Sequence, residues 1–180
     1  MQFLKKIKNS IFSLTILIIL VISFFVLKSS LQKEKIYSPK IIDDQIFTNL
    51  EVVELIDERK INFDKVLFGK NFYLINIWSS WCQPCKDESE YLLELKNDTP
   101  IMIIGINYKD KKKNAINFLK LYGNPFDQIF IDKQGTISIN FGAYGVPETF
   151  LINKDKKLLK KFIGPLNEKD INEIKKIIKN

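Results

Sequence analysis

The feature that most constrains this chain is a pair of cysteines, Cys82 and Cys85, which are the only two cysteines in its 180 residues. A mostly apolar run, 72–78, precedes the pair and predicts a buried strand. The apolar spacing within 86–96 predicts a helix after it, and Pro84 suits the first helical turn because a missing N–H there loses no partner. The pair is therefore expected at a strand-to-helix junction, where free N–H groups and the helix dipole favour a thiolate.

Three kinds of site use two cysteines at this spacing. A structural zinc site needs roughly four Cys or His ligands, and this chain has no histidine and no third cysteine, so we expect no metal. A purely structural disulfide remains open, although so short a loop gains little stability from closure. A redox-active dithiol fits best, since exchange needs one accessible sulfur and a second nearby. We expect Cys82 to be the exposed nucleophile and Cys85 to be the covered resolving thiol.

The net charge of +7 is concentrated at the N-terminus. The first 35 residues hold six lysines and one glutamate, which leaves 22 basic and 20 acidic residues for the rest of the chain. The folded part is thus close to neutral and lacks the basic surface that follows a phosphate backbone. Composition therefore argues against a nucleic-acid partner.

An uncharged apolar segment, 11–27, follows three lysines near the start of the chain, Lys5, Lys6 and Lys8. As a helix it would reach about 26 Å, at the short end for a membrane span. The lysines favour a cytoplasmic N-terminus, 1–10, with the rest of the chain outside. A cleaved signal peptide is the alternative, but no A-x-A site follows the segment. Either reading puts the cysteines in a compartment that permits disulfides. We read 28–45 as a polar linker.

Helical and strand-like patterns alternate through the remaining domain, 46–180. Residues 52–56 suggest a short strand and 63–68 a helical turn. Asn167 and Asp170 form a capping-box variant that predicts the start of a closing helix, which packs isoleucines inward. This β-α-β-α-β run followed by a hairpin and a helix predicts an α/β fold with a mixed central sheet flanked by helices. The clearest predicted strands are 72–78, 101–107, 128–131, one ending near 153, and 158–163; the clearest helices are 86–96 and 112–122.

The order of elements, with Trp81-Cys82-x-x-Cys85 after the first clear strand, resembles the thioredoxin fold. Further motifs resemble the membrane-anchored cytochrome c biogenesis thiol:disulfide interchange proteins, the CcmG/DsbE family. The resemblance covers roughly residues 40–180, and the predicted anchor matches the family's topology. The motifs that carry it are Gly105-Ile-Asn-Tyr-Lys-Asp110, Gly123-Asn-Pro-Phe126, Tyr144-Gly-Val-Pro-Glu-Thr-Phe150 and Gly164-Pro-Leu166.

This resemblance implies several site residues. Pro147 matches a cis proline that faces the dithiol, and the backbone of Val146 before it would pair with an extended substrate segment. Glu88 and Glu148 match acidic positions near the dithiol, where a carboxylate would raise a thiol pKa. For Glu88, a simple solvated helix residue is the alternative. Two residues that adjoin or separate the cysteines, Trp81 and Pro84, would also tune the reduction potential.

The implied function is that of a periplasmic reductant on the cytoplasmic (inner) membrane, held by a single span. It would reduce the disulfide in the C-x-x-C-H site of an apocytochrome c, or in a cytochrome c maturation partner that holds it. A membrane electron-donor thiol protein would re-reduce the Cys82–Cys85 disulfide, and no other cofactor is expected. The alternatives are a general extracytoplasmic thiol-disulfide oxidoreductase, including an oxidant, and a non-catalytic, chaperone-like peptide-binding module.

Overall fold

The computed structural model describes residues 2–32 and 50–179, and within the first helix it describes the side chains of 12–28. The chain divides into two compact units, Met1–Ser38 and Pro39–Asn180. Most of the predicted linker, 28–45, and the predicted start of the folded domain at 46 lie outside the described residues. The first unit contains one helix, α1, Gln2–Gln32.

The predicted membrane span, 11–27, lies within α1, and its described large apolar side chains are exposed. Across the two described ranges, no helix has both the length and the apolar character that a membrane crossing requires.

The second unit is an α/β domain around a seven-stranded mixed sheet. Its strands are β1 Glu51–Glu54, β2 Lys60–Asn62, β3 Phe72–Trp78, β4 Met102–Tyr108, β5 Gln128–Asp132, β6 Glu148–Asn153 and β7 Leu158–Ile163. Its helices are α2 Gln83–Asp87, α3 Ser89–Asp98, α4 Lys112–Tyr122, α5 Thr136–Asn140 and α6 Glu168–Lys179, with a 3-10 turn at Phe63–Lys65. The predicted fold class of this domain is confirmed.

The strand order is β2-β1-β5-β4-β3-β6-β7. An interior strand, β3, lies next to the middle strand β4, with which it pairs in parallel, and pairs antiparallel with β6 on its other side. It is buried on both faces, which explains its nearly continuous apolar sequence. A short connection, 79–81, joins β3 to Cys82, so a strand that is buried on both faces leads to the dithiol.

The alternation along β3 divides the core into two clusters, one on each face of the sheet. Leu74 and Trp78 belong to the cluster that contains both cysteines. Ile75 and Ile77 belong to the opposite cluster, with Phe63, Phe130 and Phe150. Each face of the sheet therefore has its own apolar core, and β3 contributes to both.

Packing is tight at the end of β3. The Trp78 ring stacks on Phe126, with ring centroids 5.3 Å apart. A Cβ atom at Gly105 on the neighbouring strand would lie 2.8 Å from Trp78 Nε1 and 2.9 Å from Phe126 Cγ. The absence of a side chain at 105 thus allows both rings to lie against β4.

The predicted helix over 86–96 is observed as two consecutive segments, α2 and α3, which meet at Glu88. The Ser89 hydroxyl donates to the carbonyl of Cys85 at 3.0 Å, a bond that often bends a helix. The predicted capping box is confirmed: Asn167 N–H donates to Asp170, and Asp170 N–H donates to Asn167 Oδ1. Two short elements, β2 and α5, were not predicted.

Candidate active site

The two cysteines form a disulfide with their Cα atoms 5.3 Å apart. Cys82 is the N-cap residue of α2, and its Sγ accepts a hydrogen bond from Cys85 N–H at 3.1 Å. Pro84 lies in the first turn of α2, as predicted. The pair therefore sits at the junction of β3 and a helix, which is where the sequence pattern placed it.

The prediction that Cys82 is exposed is wrong for this disulfide-bonded form. Its side chain is only 5% exposed, close to the 3% of Cys85. The physical reason is that the bond to Cys85 and the bond from Cys85 N–H draw the Cys82 sulfur toward the helix. Trp81 beside it is 58% exposed, so an aromatic ring forms the accessible surface next to the sulfurs.

The loop before Cys82 is held by the loop that follows β4. Asp110 accepts the Ser80 N–H at 2.7 Å and the Ser80 hydroxyl at 2.9 Å. Asn107 Nδ2 donates to the same carboxylate at 3.1 Å. Trp81 Nε1 donates to the carbonyl of Lys109 at 3.2 Å. These bonds connect the residues just before Cys82 to the end of β4 and the loop that follows it.

Glu88 lies at the bend between α2 and α3 and is fully buried, so the alternative of a solvated helix residue is wrong. Its Oε1 accepts from Asn76 Nδ2 and its Oε2 accepts from Leu166 N–H, each at 2.9 Å. Burial raises the pKa of Glu88 to about 7, although both hydrogen bonds act in the opposite direction. This carboxyl group can therefore change its charge near neutral pH, one helical turn from Cys85.

Glu148, the first residue of β6, is also buried, but it has a cationic partner. Lys161 Nζ on β7 lies 2.6 Å from Glu148 Oε2. The other oxygen, Oε1, accepts the N–H groups of Tyr144 and Gly145 at 2.7 and 2.9 Å. Glu148 is thus bound both to β7 and to the loop that precedes β6.

The Val146–Pro147 peptide bond is cis, as the family resemblance implied. Val146 is partly buried and packs against the apolar cluster that contains Cys82 and Cys85. Pro147 is buried immediately before β6, and its carbonyl accepts the N–H of Gly164 at 3.0 Å. The structure therefore brings the cysteine pair and the proline loop to the same core cluster.

Three contributors were missed from the sequence: Asn76, Lys161 and the N–H of Leu166. A fourth, Asp110, lies in a motif that was noted without a role. The role of Asn76 is predictable in part, because a single amide side chain inside an apolar strand needs a hydrogen-bond partner. The role of Lys161 is not predictable in this way, because nothing in the sequence distinguishes it from the several lysines nearby. In the described part of the chain, no three His, Cys, Asp or Glu side chains are grouped to hold a metal ion.

Comparison with known proteins agrees with this geometry. The Redoxin family matches residues 47–178. Thiol:disulfide interchange protein CycY of Rhizobium leguminosarum is 42% identical over 110 residues, 61% of this chain and 59% of that protein. Thiol:disulfide interchange protein DsbE of Allochromatium vinosum is 30% identical over 137 residues, 76% of this chain and 74% of that protein. The chain thus spans somewhat under two thirds of the length of CycY.

Solved structures agree on the fold. A secreted Mycobacterium tuberculosis disulfide oxidoreductase described as homologous to DsbE superposes with a TM-score of 0.62 at 17% identity, covering 76% of this chain and 98% of that one. A putative DsbE from Chlorobium tepidum has a TM-score of 0.62 at 18% identity, covering 73% and 92%. With the cysteine pair at the β3–α2 junction and a cis proline at 147, these matches show that the chain belongs to the Redoxin family of the thioredoxin superfamily, in the branch of the DsbE thiol:disulfide interchange proteins.

Proposed function

We propose that this protein is a thiol-disulfide oxidoreductase that acts as a reductant on the outer side of the cytoplasmic membrane. The observation that carries the proposal is the Cys82–Cys85 disulfide at the start of α2, in the core cluster against which the partly buried Val146 packs. Thiol-disulfide exchange needs one sulfur to attack and a second close by to resolve the mixed disulfide, and this pair supplies both. The relatives named as thiol:disulfide interchange proteins support the same chemistry.

The exchange proceeds in two steps. In the reduced protein, the Cys82 thiolate attacks one sulfur of a substrate disulfide, forming a mixed disulfide and releasing the other substrate sulfur as a thiolate, which takes up a proton. Cys85 then loses its proton and attacks the Cys82 sulfur, which re-forms the Cys82–Cys85 disulfide and releases the second substrate thiol. Two electrons and two protons pass to the substrate. A thiol protein in the membrane returns them by the reverse exchange.

Glu88 supports a reducing role. When it is ionised, its negative charge one helical turn from Cys85 disfavours a nearby thiolate, which avoids over-stabilising the reduced form. Trp81 precedes Cys82, and Pro84 lies between the two cysteines. Both contribute to the reduction potential of the disulfide. The backbone of Val146 would pair with an extended substrate segment.

The proposed substrates are C-x-x-C-H sites of apocytochrome c, or a cytochrome c maturation partner that holds them. This choice of substrate follows from the family to which the chain belongs.

Attachment to the membrane through 11–27, with the second unit in the periplasm, rests on the uncharged sequence of that segment. Extraction of cell membranes at alkaline pH tests it: the full chain should remain with the membrane, and a chain lacking residues 1–27 should not.

The central experiment uses Cys82→Ser in a strain that depends on this protein for c-type cytochromes. Cytochrome levels should fall to those of the deletion strain, and unchanged levels would exclude the proposal. Cys85→Ser should accumulate mixed disulfides, because the resolving thiol is gone. Haem-site cysteines among the trapped partners would support the substrate assignment, and trapped partners without them would favour a general oxidoreductase.

Two further measurements separate the alternatives. A reduction potential near −120 mV, typical of a strong oxidase, would indicate an oxidant instead. Full function in the double Cys82→Ser, Cys85→Ser variant would indicate a peptide-binding module without redox chemistry. We expect neither result.

A further inference from the structure

The most deeply buried ion pair among the described residues is Glu148–Lys161. The two side chains are 2% and 5% exposed, and the joined atoms lie 2.6 Å apart. In every other ion pair of the described ranges, both side chains are at least 20% exposed. Burying two charges is costly, and an apolar pair of similar volume often gives equal stability. Stability alone therefore does not account for this pair.

Both ends of the pair bind the 142–147 loop, the segment that leads to the cis proline. Glu148 accepts the N–H groups of Tyr144 and Gly145. Lys161 Nζ donates to the carbonyl of Gly142 at 2.8 Å and lies 4.9 Å from the centroid of the Tyr144 ring. An apolar pair could not form these polar bonds. The ion pair thus fixes the loop at Gly142, Tyr144 and Gly145, immediately before Val146.

The register of the sheet separates this pair from the disulfide's core cluster. Lys161 lies opposite Phe150 on β6, and Phe150 belongs to the core cluster on the face away from the cysteines. Lys161 also lies 5.2 Å from the centroid of the Phe150 ring. The charge of Glu148 is balanced on that face. The loop that Glu148 holds contains Val146, which packs against both core clusters and so also reaches the one with the cysteines. The geometry therefore favours an effect on substrate binding over an effect on the sulfurs.

We propose that Lys161 is a positioning residue for peptide substrates: acting through Glu148, it holds the 142–147 loop in the shape that receives an extended segment along Val146. The proposal rests on the proposed reductase function and deepens it. It assigns Glu148 to the shaping of the loop, in place of the redox tuning that the family resemblance implied. Loss of Lys161 should weaken peptide binding and leave the intrinsic exchange of Cys82 unchanged.

The test compares two disulfides that make different demands on the loop. One is a synthetic oxidised peptide with a C-x-x-C-H sequence, and the other is 5,5′-dithiobis(2-nitrobenzoate), a small disulfide without a peptide backbone. In single-turnover reactions of pre-reduced Lys161→Met with excess peptide, the peptide concentration that gives half the limiting rate, here called KM, should rise about tenfold at a similar limiting rate, as for lost uniform binding. The rate with the small disulfide and the reduction potential should stay at wild-type values. Lys161→Arg, which keeps the charge, should restore most of the peptide affinity.

Lys160→Met is the matched control, because Lys160 lies on the same strand and pairs with Glu173 on α6. It should behave as wild type with both disulfides. Since Lys161→Met leaves Glu148 buried without a cation, the neutral double variant Glu148→Gln, Lys161→Met provides a second test if the single variant does not fold. The double variant should show the same rise in peptide KM.

Three outcomes would overturn the inference. If Lys161→Met and the double variant Glu148→Gln, Lys161→Met both keep the wild-type KM for the peptide, the ion pair does not shape the loop. Equal slowing with both disulfides and a changed potential would show that Glu148 acts on the sulfurs. If the wild type reduces the small disulfide but not the peptide, the proposed substrate class itself fails, and the inference fails with it.

Discussion

Glu88 and Glu148 are two buried carboxyl groups in different surroundings. Glu88 is held by an amide and a backbone N–H, and burial raises its pKa to about 7. Glu148 accepts two backbone N–H groups and also contacts a buried ammonium. Equal burial therefore does not give equal chemistry, because the presence of a cation decides whether the cost of burying the charge is offset. The comparison assigns proton exchange near neutral pH to Glu88 and a fixed structural contact to Glu148.

The largest expected effect comes from Glu148→Ala. This change leaves Lys161 buried without its counter-charge, so we expect the free energy of unfolding to fall by about 3–5 kcal/mol. Glu88→Ala leaves two neutral donors unsatisfied and should cost less. Urea unfolding of both oxidised variants at pH 7 measures the difference. An equal or smaller loss for Glu148→Ala would contradict the distinction between the two carboxyl groups.

A second prediction concerns pH. The folded-state pKa of Glu88, about 7, lies above the ordinary value of 4.5, so folding favours the protonated carboxyl. Its stabilising contribution is complete below pH 4.5 and is lost as the pH rises to about 7. Relative to Glu88→Gln, the wild type should lose about 3 kcal/mol across that window and nothing further above it. Urea unfolding at several pH values measures this, and a pH-independent difference between the two proteins would refute it.

A smaller effect is expected from Asn76→Ala. The variant removes the donor to Glu88 Oε1 and the bond from Asn76 to the Thr149 hydroxyl. Because the lost bond favoured the ionised carboxylate, the pKa of Glu88 should rise further. We expect a loss of about 1–2 kcal/mol at pH 8 and a smaller loss at pH 5. The same pH series of unfolding curves measures both; equal losses at the two pH values would show that Asn76 does not act through Glu88.

The smallest effect is expected from Lys160→Met, which removes a partly exposed ion pair with Glu173. Solvent screens such pairs, so the free energy of unfolding should change by less than about 1 kcal/mol. Thermal or urea unfolding beside Lys161→Met provides the contrast between neighbouring lysines on one strand. A loss comparable to that of Glu148→Ala would mean that burial does not separate the two pairs.

Local pattern was sufficient for the elements that carry the cysteines and the core. The predicted bounds of β3, α4 and β7 are confirmed. The strand β3 is an almost unbroken apolar run, α4 keeps a helical apolar period, and β7 follows a predicted hairpin turn at 154–156. The short helix α5 escaped prediction: five residues with Thr136, Ile137 and Ile139 give no helical period and have weak helix propensity. The strand β2 has only three residues and depends on its pairing with β1.

The cysteines and the proline of the site were predicted from the sequence, whereas the residues that support them were not. Cys82, Cys85 and Pro147 stand in short motifs whose chemistry can be read locally. The partners of Glu88 lie 12 and 78 residues away, and Lys161 meets Glu148 only through the pairing of β6 with β7. Such contacts depend on sheet register and loop path, which a single sequence does not specify. The low exposure of Cys82 does not follow from the sequence, because it depends on the contacts that its sulfur makes with Cys85 in the folded chain.

The bond from Leu166 N–H to Glu88 links the C-terminal part of the domain to the bend beside Cys85. The last connection, between β7 and α6, supplies half of the hydrogen bonds described for this carboxyl group. A peptidase that cut between Ile163 and Leu166 would free that donor and disturb the bend beside Cys85 from a point some eighty residues downstream. We therefore expect a cut in this connection, which contains no redox-active residue, to change the redox behaviour of the protein.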